Sequence, residues 1–122
     1  MAVGDYGRMI TLQDAAAVAA DGIVVSIGGL TSVVVQITGT YTGMQVNFEA
    51  SVDGALTWAA VALLPIGSTT PGTLVATPAA GATGLYRLQD ARGLTHIRAR
   101  VSGSGTGAVT VTAYSVPWQA QR

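Results

Sequence analysis

The sequence contains no cysteine and no lysine, and each absence argues against a class of function. Without cysteine the chain forms no disulfide, no thiolate metal site and no thiol nucleophile. The six basic residues are all arginine, and six acidic residues bring the formal net charge to zero. Nucleic-acid-binding proteins need clustered basic side chains to displace counterions from the phosphates. The charge balance therefore argues against a nucleic-acid partner.

Charged residues and long apolar runs are also scarce. Charged side chains make up 10% of the chain, against about 25% in a typical soluble domain. The longest apolar run, residues 55–66, falls well short of the roughly 20 residues that a membrane-spanning helix requires. The first eight residues lack the basic and apolar regions of a secretory leader. We therefore expect no membrane partner and synthesis in a cytoplasm.

The chain nevertheless has enough apolar residues to form a core. Its 122 residues correspond to one domain, and 49% of them are hydrophobic, with a mean hydropathy of +0.47. The surface that remains is neutral and rich in threonine, serine and glycine, so copies repel one another weakly. Such a surface favours coverage by other subunits, either in an oligomer or in a larger assembly.

Apolar and polar residues alternate along much of the chain, and this period of two predicts β-strands. The alternation is clearest at residues 44–52, 97–101 and 109–113, where one face of each segment is apolar. Residues 23–27 and 33–37 are nearly continuous apolar runs, which predict central strands shielded on both faces.

Turn-forming residues separate these segments. Glycines at 28–29, 39–43 and 103–105 lie between predicted strands. The pair Asp53-Gly54 predicts a two-residue hairpin that leads directly to a strand around Trp58, because both turn residues tolerate a positive φ.

Together these segments predict about eight strands and no definite helix. Residues 67–84 predict a long loop with a short strand at 73–77, whereas the alanine-rich residues 13–20 fit a short helix, a strand or an arm. The predicted fold is all-β: a single antiparallel β-sandwich, with a jelly-roll or galactose-binding-like arrangement favoured over an immunoglobulin-like one. Residues 1–22 are predicted as an N-terminal arm or edge segment, and residues 23–122 as the β-sandwich domain.

The residues give little support for catalysis or metal binding. No motif supplies a nucleophile or an orienting group for His96, the single histidine. Glu49 and Asp53 lie four residues apart on one predicted strand, about 13 Å by the pleat, whereas glycosidase carboxylates lie about 5–10 Å apart. Residues 102–107 lack the lysine and the following helix of a phosphate loop and predict a flexible hairpin loop. We predict no catalytic, cofactor or metal site, and a protein that is not an enzyme.

Arginine side chains are the main candidates for contact with a partner. His96, Arg98 and Arg100 alternate on one predicted strand, and the pattern places Arg87 on a neighbouring strand. A row of guanidinium groups can form forked contacts with carboxylates of another subunit. The other candidates lie near the two ends of the chain: Tyr6, Arg8 and Trp118.

Aromatic residues leave a second interpretation open. Trp58 is predicted to cap one end of the core, but an exposed aromatic ring can also stack on a sugar. The loops at Tyr41-Thr42 and residues 67–72, together with the exposed aromatic side chains, would then form a carbohydrate-binding site. Quenching of tryptophan fluorescence by a polysaccharide would distinguish this alternative from a purely structural role.

Longer motifs give the chain a resemblance to a known group of proteins. Residues 39–58 read GTYTGMQVNFEASVDGALTW, followed by GLYR at 84–87, GLT at 93–95 leading into IRARV, and the closing strand GAVTVT at 107–112. Together these motifs resemble small β-sandwich structural proteins of tailed bacteriophages, of the capsid decoration (cement) or tail-module type. The resemblance spans residues 23–115.

The resemblance implies a non-enzymatic protein of the virion, assembled in the cytoplasm of the bacterial host. Its first implied role is that of a capsid decoration protein that binds the capsid exterior and bridges major capsid subunits. We expect as partners the major capsid protein and copies of the chain itself, as a homotrimer, with no nucleic acid and no membrane. The alternative is a carbohydrate-binding or host-adhesion module of the tail or fibre.

Overall fold

The computed structural model describes residues 8–27, 30–66, 78, 81–88 and 93–117. The regular structure in these ranges consists of strands, and no helix in them is long and apolar enough to cross a membrane. The strands are β1 (Arg8–Ala16), β2 (Val25–Ser26), β3 (Leu30–Thr38), β4 (Tyr41–Ser51), β5 (Ala59–Ala60), β6 (Leu63–Ile66), β7 (Gly84–Leu88), β8 (His96–Gly107) and β9 (Val109–Pro117).

The strands form two antiparallel sheets that pack face to face. The five-stranded sheet has the order β1-β9-β3-β7-β6, and the four-stranded sheet has the order β2-β8-β4-β5. Most steps from one strand to the next change sheet, so the two sheets are built from interleaved parts of the chain. The predicted all-β antiparallel sandwich is confirmed, whereas the preference for a jelly-roll arrangement stays a prediction.

The core lies between the sheets and consists of the residues that the alternation placed on the apolar faces. Leu12 on β1 is completely buried in the same core, so the described part of residues 1–22 packs within the sandwich as an edge strand. Full burial of such a side chain contributes about 1.5–3 kcal/mol. The predicted core residues that are buried are Met44, Val46, Phe48, Ala50, Ile97, Ala99, Val101, Val109, Val111 and Ala113.

The apolar run at residues 23–27 is not a central strand. Only Val25–Ser26 is a strand, and it pairs on one side with β8 at the edge of the four-stranded sheet. Ile23 and Val24 are therefore exposed, at 56% and 44%. Strand β3 is central, but its second face is only partly covered, because Val34 points away from the core and is half-buried.

Residues 13–20 are not helical. Strand β1 continues to Ala16 and pairs with β9, with register shifts on both sides of Gln13. The chain then turns, and Ala20 forms an isolated bridge with Val101 on β8. Pairing with β9 decides the conformation here, because an eight-residue alanine-rich helix is marginal without packing.

The glycine-rich segment 102–107 is not a hairpin loop. It is the end of β8 and pairs with the beginning of β4, where Thr42 lies opposite Thr106. A Cβ atom on Gly105 would lie 1.7 Å from the carbonyl oxygen of Thr42. Glycine is therefore required here by the close approach of two strands, not by a need for flexibility.

The predicted hairpin at Asp53-Gly54 exists but is longer than two residues. Strands β4 and β5 pair through Glu49 with Ala60 and Ala50 with Ala59, so the loop between them includes Trp58. Val52 lies in this loop and is exposed, because β4 ends at Ser51. Of the predicted loop at 67–84, residues 67–77, with the predicted short strand at 73–77, and residues 79–80 lie outside the described residues, as does the glycine pair at 28–29.

Candidate functional site

The outer face of the four-stranded sheet carries the arginine row predicted from the sequence. Antiparallel pairing of β8 with β4 sets Arg98 opposite Glu49 and Arg100 opposite Asn47. All three predicted residues of this row, His96, Arg98 and Arg100, are partly buried, with buried apolar residues between them. The alternation therefore predicted their common face, and the pairing supplies their partners.

Glu49 binds both arginines at once. Its Oε1 accepts a hydrogen bond from Nε of Arg98 at 2.8 Å, and its Oε2 accepts one from Nε of Arg100 at 3.2 Å. The side chain of Glu49 is 15% exposed, that of Arg98 17% and that of Arg100 35%. These partly buried, charge-assisted hydrogen bonds fix the row within the protein itself.

Arg98 is enclosed by further contacts. Its guanidinium carbon lies 4.4 Å from the centroid of the Trp58 ring, in cation–π geometry. Asp21, whose side chain is 71% exposed, approaches Nη1 of Arg98 at 3.9 Å. Trp58 therefore stacks on an outward-facing arginine, and the prediction that it caps the end of the core is wrong.

Arg100 has fewer contacts than Arg98. Its Nε donates a hydrogen bond to Glu49, and its backbone carbonyl accepts one from the Asn47 side-chain amide at 3.0 Å. The same Asn47 nitrogen donates to the hydroxyl of Ser102 at 2.7 Å. Asn47 thus fixes the strand at Arg100 and at Ser102, and the side chain of Arg100 is 35% exposed.

The structure separates Arg87 from this row. Arg87 lies on β7 in the five-stranded sheet, where it pairs with Val34 and Leu64, so it does not neighbour β8. The prediction was wrong because residues 84–88 are close to β8 in sequence, yet the chain changes sheet between them. Arg87 is exposed on the opposite side of the sandwich.

Of the candidates near the chain ends, Arg8 lies within the described residues. Its guanidinium donates to the carbonyl oxygen of Ser26 at 3.1 Å and thereby joins the edge strands of the two sheets. Tyr6 and Trp118 lie outside the described residues, so their predicted roles stay predictions.

The single histidine lies beside hydroxyl and carboxylate groups, but their hydrogen bonds are not those of a catalytic triad. His96 pairs across the sheet with Ser51, whose hydroxyl donates to Asp53 at 2.6 Å. Nδ1 of His96 is buried and has no hydrogen-bond partner among the residues that the structure describes. In a triad the nucleophile donates a hydrogen bond to the histidine and the acid orients the ring, whereas here the hydroxyl of Ser51 donates its hydrogen bond to Asp53.

Asp53 instead organises the loop between β4 and β5. Its carboxylate accepts hydrogen bonds from the side chains of Ser51 and Thr57 and from the backbone of Thr57 and Leu56. These bonds, led by the one from Ser51, hold the pKa of Asp53 well below its ordinary value. Ala55 at the loop tip has a φ of +75°, a conformation that non-glycine residues rarely adopt.

The geometry gives little support to a sugar site. Tyr41 and Tyr86 are 4% and 8% exposed, and burial raises the pKa of both phenols, with Tyr86 adding to the shift of Tyr41. A surface cavity of about 220 Å³ beside Trp58 is lined mainly by alanine and other apolar residues. Its hydroxyl groups, on Ser51 and Thr57, donate to Asp53, and residues 67–72 lie outside the described part of the chain.

The outer face of the five-stranded sheet presents a surface that the sequence did not predict. Pairing aligns Met9, Tyr114, Val34 and Arg87 across four strands, and Thr11, Thr112, Gln36 and Leu85 in the next row. We call these eight residues the apolar face. Met9 is 72% exposed, and Tyr114 and Leu85 are each 41% exposed.

The apolar face carries one charge, that of Arg87, and a shallow groove of about 160 Å³. The signal in the sequence was large apolar residues at positions where alternation calls for polar ones, as at Tyr114 and Leu85. The strand order was needed to show that these positions are neighbours. No group of three or more histidine, aspartate or glutamate residues that could hold a metal lies within the described residues.

Comparison with known proteins gives the family. The family model XepA matches residues 7–114. The chain belongs to the XepA family. The match begins at residue 7 and therefore includes β1, which lies outside residues 23–115, the part of the chain that resembles phage β-sandwich proteins. A search of curated proteins finds no match.

Two solved structures share the fold of this XepA-family chain. The SPBc2 prophage-derived protein YomS superposes with a TM-score of 0.78 at 22% identity, covering 90% of this chain and 92% of YomS. The PBSX exported protein XepA superposes with a TM-score of 0.78 at 15% identity, covering 90% of this chain but 37% of that protein. Both superpositions agree with the β-sandwich fold of this chain.

Proposed function

We propose that this chain is a non-enzymatic structural protein of a phage particle and that it binds neighbouring protein subunits through the apolar face. The observation that carries the proposal is that Met9, Tyr114 and Leu85 are exposed on a face that carries only one charged residue. Burial of apolar surface contributes about 25 cal/mol per Å². Covering this face is therefore favourable, and little charge has to be desolvated.

The proposed location is the capsid exterior, where the protein acts as a decoration protein that bridges major capsid subunits. Each contact is modest, but simultaneous contacts with several subunits and with other copies of the chain raise the effective concentration of each further contact. The membership of the XepA family and the fold shared with a prophage-derived protein support a phage context. A second location outside the particle is suggested by the word "exported" in the name of the PBSX protein.

Immunogold labelling of purified particles tests the proposal. Wild-type protein is expected on heads, and the double variant Met9→Glu/Leu85→Glu is expected to lose at least tenfold in occupancy, because it buries two unpaired charges. Leu56→Glu is the matched control: Leu56 is 82% exposed but lies in the loop after β4, away from the apolar face. Amide spectra of each variant check that it is folded.

The other outcomes are equally definite. Label restricted to tails would replace capsid decoration with an adhesion role. Protein found in the culture medium, with none on particles, would contradict a virion component and favour an exported protein. Equal occupancy of the double variant and the wild type would exclude the apolar face as the contact.

A further inference from the structure

Arg100 has hydrogen-bond donors that none of the described residues accepts. A guanidinium group has five N–H donors in a planar fork. In Arg100 the Nε–H donates to Glu49, and no described residue accepts from its two Nη nitrogens. Its side chain is 35% exposed, twice the value for Arg98. The free end of the fork is therefore accessible from solvent.

The charge around Arg100 is not balanced locally. Glu49 supplies one negative charge to two guanidinium groups, which leaves the trio with a net charge of +1. Asp21 lies next to Arg98, not Arg100, and its 3.9 Å approach and 71% exposure make it a weak, screened neighbour. The excess positive charge thus lies at the Arg100 end of the row.

A further donor lies beside the free fork. The hydroxyl of Ser102, two residues along the same face of β8, accepts from Asn47 and retains its own proton for another acceptor. The structure therefore offers the four N–H donors of the two Nη nitrogens and one O–H donor on the same face of β8. This set of donors fits an anion with more than one acceptor oxygen.

We propose that Arg100 is a recognition residue for a carboxylate on the surface of a partner protein. A carboxylate carries one negative charge and two coplanar oxygens, which matches both the net charge of the trio and the fork of one guanidinium. A phosphate group carries about 1.5 to 2 negative charges and three acceptor oxygens. It would need a second free cation, and Arg98 is enclosed by Glu49 and Trp58.

Arg98 and Glu49 act in this proposal as positioning residues. Glu49 holds the Nε edge of Arg100, and Arg98 holds the other oxygen of Glu49 while it stacks on Trp58. This fixation lowers the entropy that Arg100 loses when it binds. The proposed site lies on the opposite sheet from the apolar face, so it is a second interaction surface and does not depend on the first.

Nuclear magnetic resonance titration of the full ¹⁵N-labelled chain with a hexaglutamate peptide at low ionic strength tests the proposal. We expect saturable shifts at Arg100 Nε and at the amides of residues 100–102. Arg100→Gln should weaken binding by roughly fivefold, the upper range for one exposed ion pair. Arg100→Lys keeps the charge but not the fork and should be intermediate.

Arg8→Gln provides the matched control, since it removes the same charge from an exposed position on the edge strand of the other sheet. It should leave the affinity for hexaglutamate unchanged. No saturable shift in the wild type, equal affinities of the Arg100 and Arg8 variants, or tighter binding of inorganic phosphate at the same residues would each overturn the proposal. The amide spectrum of each variant in the absence of peptide shows whether it is folded, and Arg100→Lys tests the site if Arg100→Gln does not fold.

Discussion

The side-chain amide of Gln13 donates a hydrogen bond to the carbonyl oxygen of Ala99 at 2.8 Å, across the interior of the sandwich. Gln13 lies on the edge strand of one sheet and Ala99 on an inner strand of the other. The same amide nitrogen donates to the carbonyl oxygen of Ala20 at 3.0 Å. One polar side chain, 5% exposed, therefore ties the β1 bulge both to the segment that follows it and to the opposite sheet.

Replacing Gln13 by leucine is expected to destabilise the protein by about 1–3 kcal/mol. The leucine keeps the volume but removes two hydrogen bonds, one of them to a buried carbonyl. The measurement is the free energy of unfolding in urea. Gln45→Leu, an exposed position on β4, is the control and should change it by less than about 0.5 kcal/mol. Equal effects of the two variants would show that the cross-sheet bond adds nothing.

Glu49→Gln is expected to lower the free energy of unfolding by about 1–2 kcal/mol. The change leaves two neighbouring guanidinium groups without the carboxylate they share, and partial exposure keeps the cost below that of a fully buried pair. Asp21→Asn removes a more exposed carboxylate from the same cluster and should cost less than about 0.5 kcal/mol. A larger loss for Asp21→Asn would contradict the assignment of Glu49 as the central anion.

Asp53→Asn is expected to lower the free energy of unfolding at neutral pH and to change how that free energy varies with pH. The pKa of Asp53 is lower in the folded protein than its ordinary value of about 3.9. Its hydrogen bonds therefore stabilise the fold above that pH, and this contribution is lost as the pH falls below it.

Midpoints of urea unfolding measured from pH 7 to roughly pH 2 test whether the contribution of Asp53 is lost as the pH falls. The difference between wild type and Asp53→Asn should be largest at neutral pH and should shrink on acidification. A difference that stays constant over this range would mean that the variant acts through loop packing and not through ionisation.

Gly105→Ala is expected to destabilise the protein by about 3 kcal/mol, at the upper end of the range for overpacking. The added Cβ would lie 1.7 Å from the Thr42 carbonyl oxygen, so β4 and β8 would have to separate locally. Gly54→Ala is the comparison, because no atom lies within 4 Å of its added Cβ and its positive φ costs about 1–2 kcal/mol. Unfolding free energies that fall in the opposite order would contradict the close approach of the two strands.

The sequence predicts the strands better than it predicts their neighbours. Residues 97–101 and 109–113 have their apolar faces buried as the alternation requires, because burial of one sheet face imposes that pattern locally. Residues 102–107 were predicted as a loop, because the strand with which their glycines pair lies about 60 residues earlier in the sequence. Local patterns carry no information about such pairings.

The same distinction applies to the candidate site. The alternation placed Arg98 and Arg100 on one face, but the role of Glu49 depends on the register of β4 against β8. Arg87 was predicted to be near them because it is near in sequence, whereas the chain changes sheet after β7. The apolar face was missed for a related reason, since its members come from four strands that become adjacent only in the folded sheet.

The position of β9 has a consequence for the synthesis of the protein. It is the last described strand along the chain, yet it lies between β1 and β3 and is the strand with which β1 pairs in the sheet. Until the ribosome has released residues beyond 109, β1 and one edge of β3 have unpaired backbone groups and exposed apolar side chains. Pairings this distant in sequence form slowly and leave the nascent chain open to aggregation. The five-stranded sheet can therefore close only after β9 has been made, and until then the free edges of β1 and β3 are open to pairing with other chains.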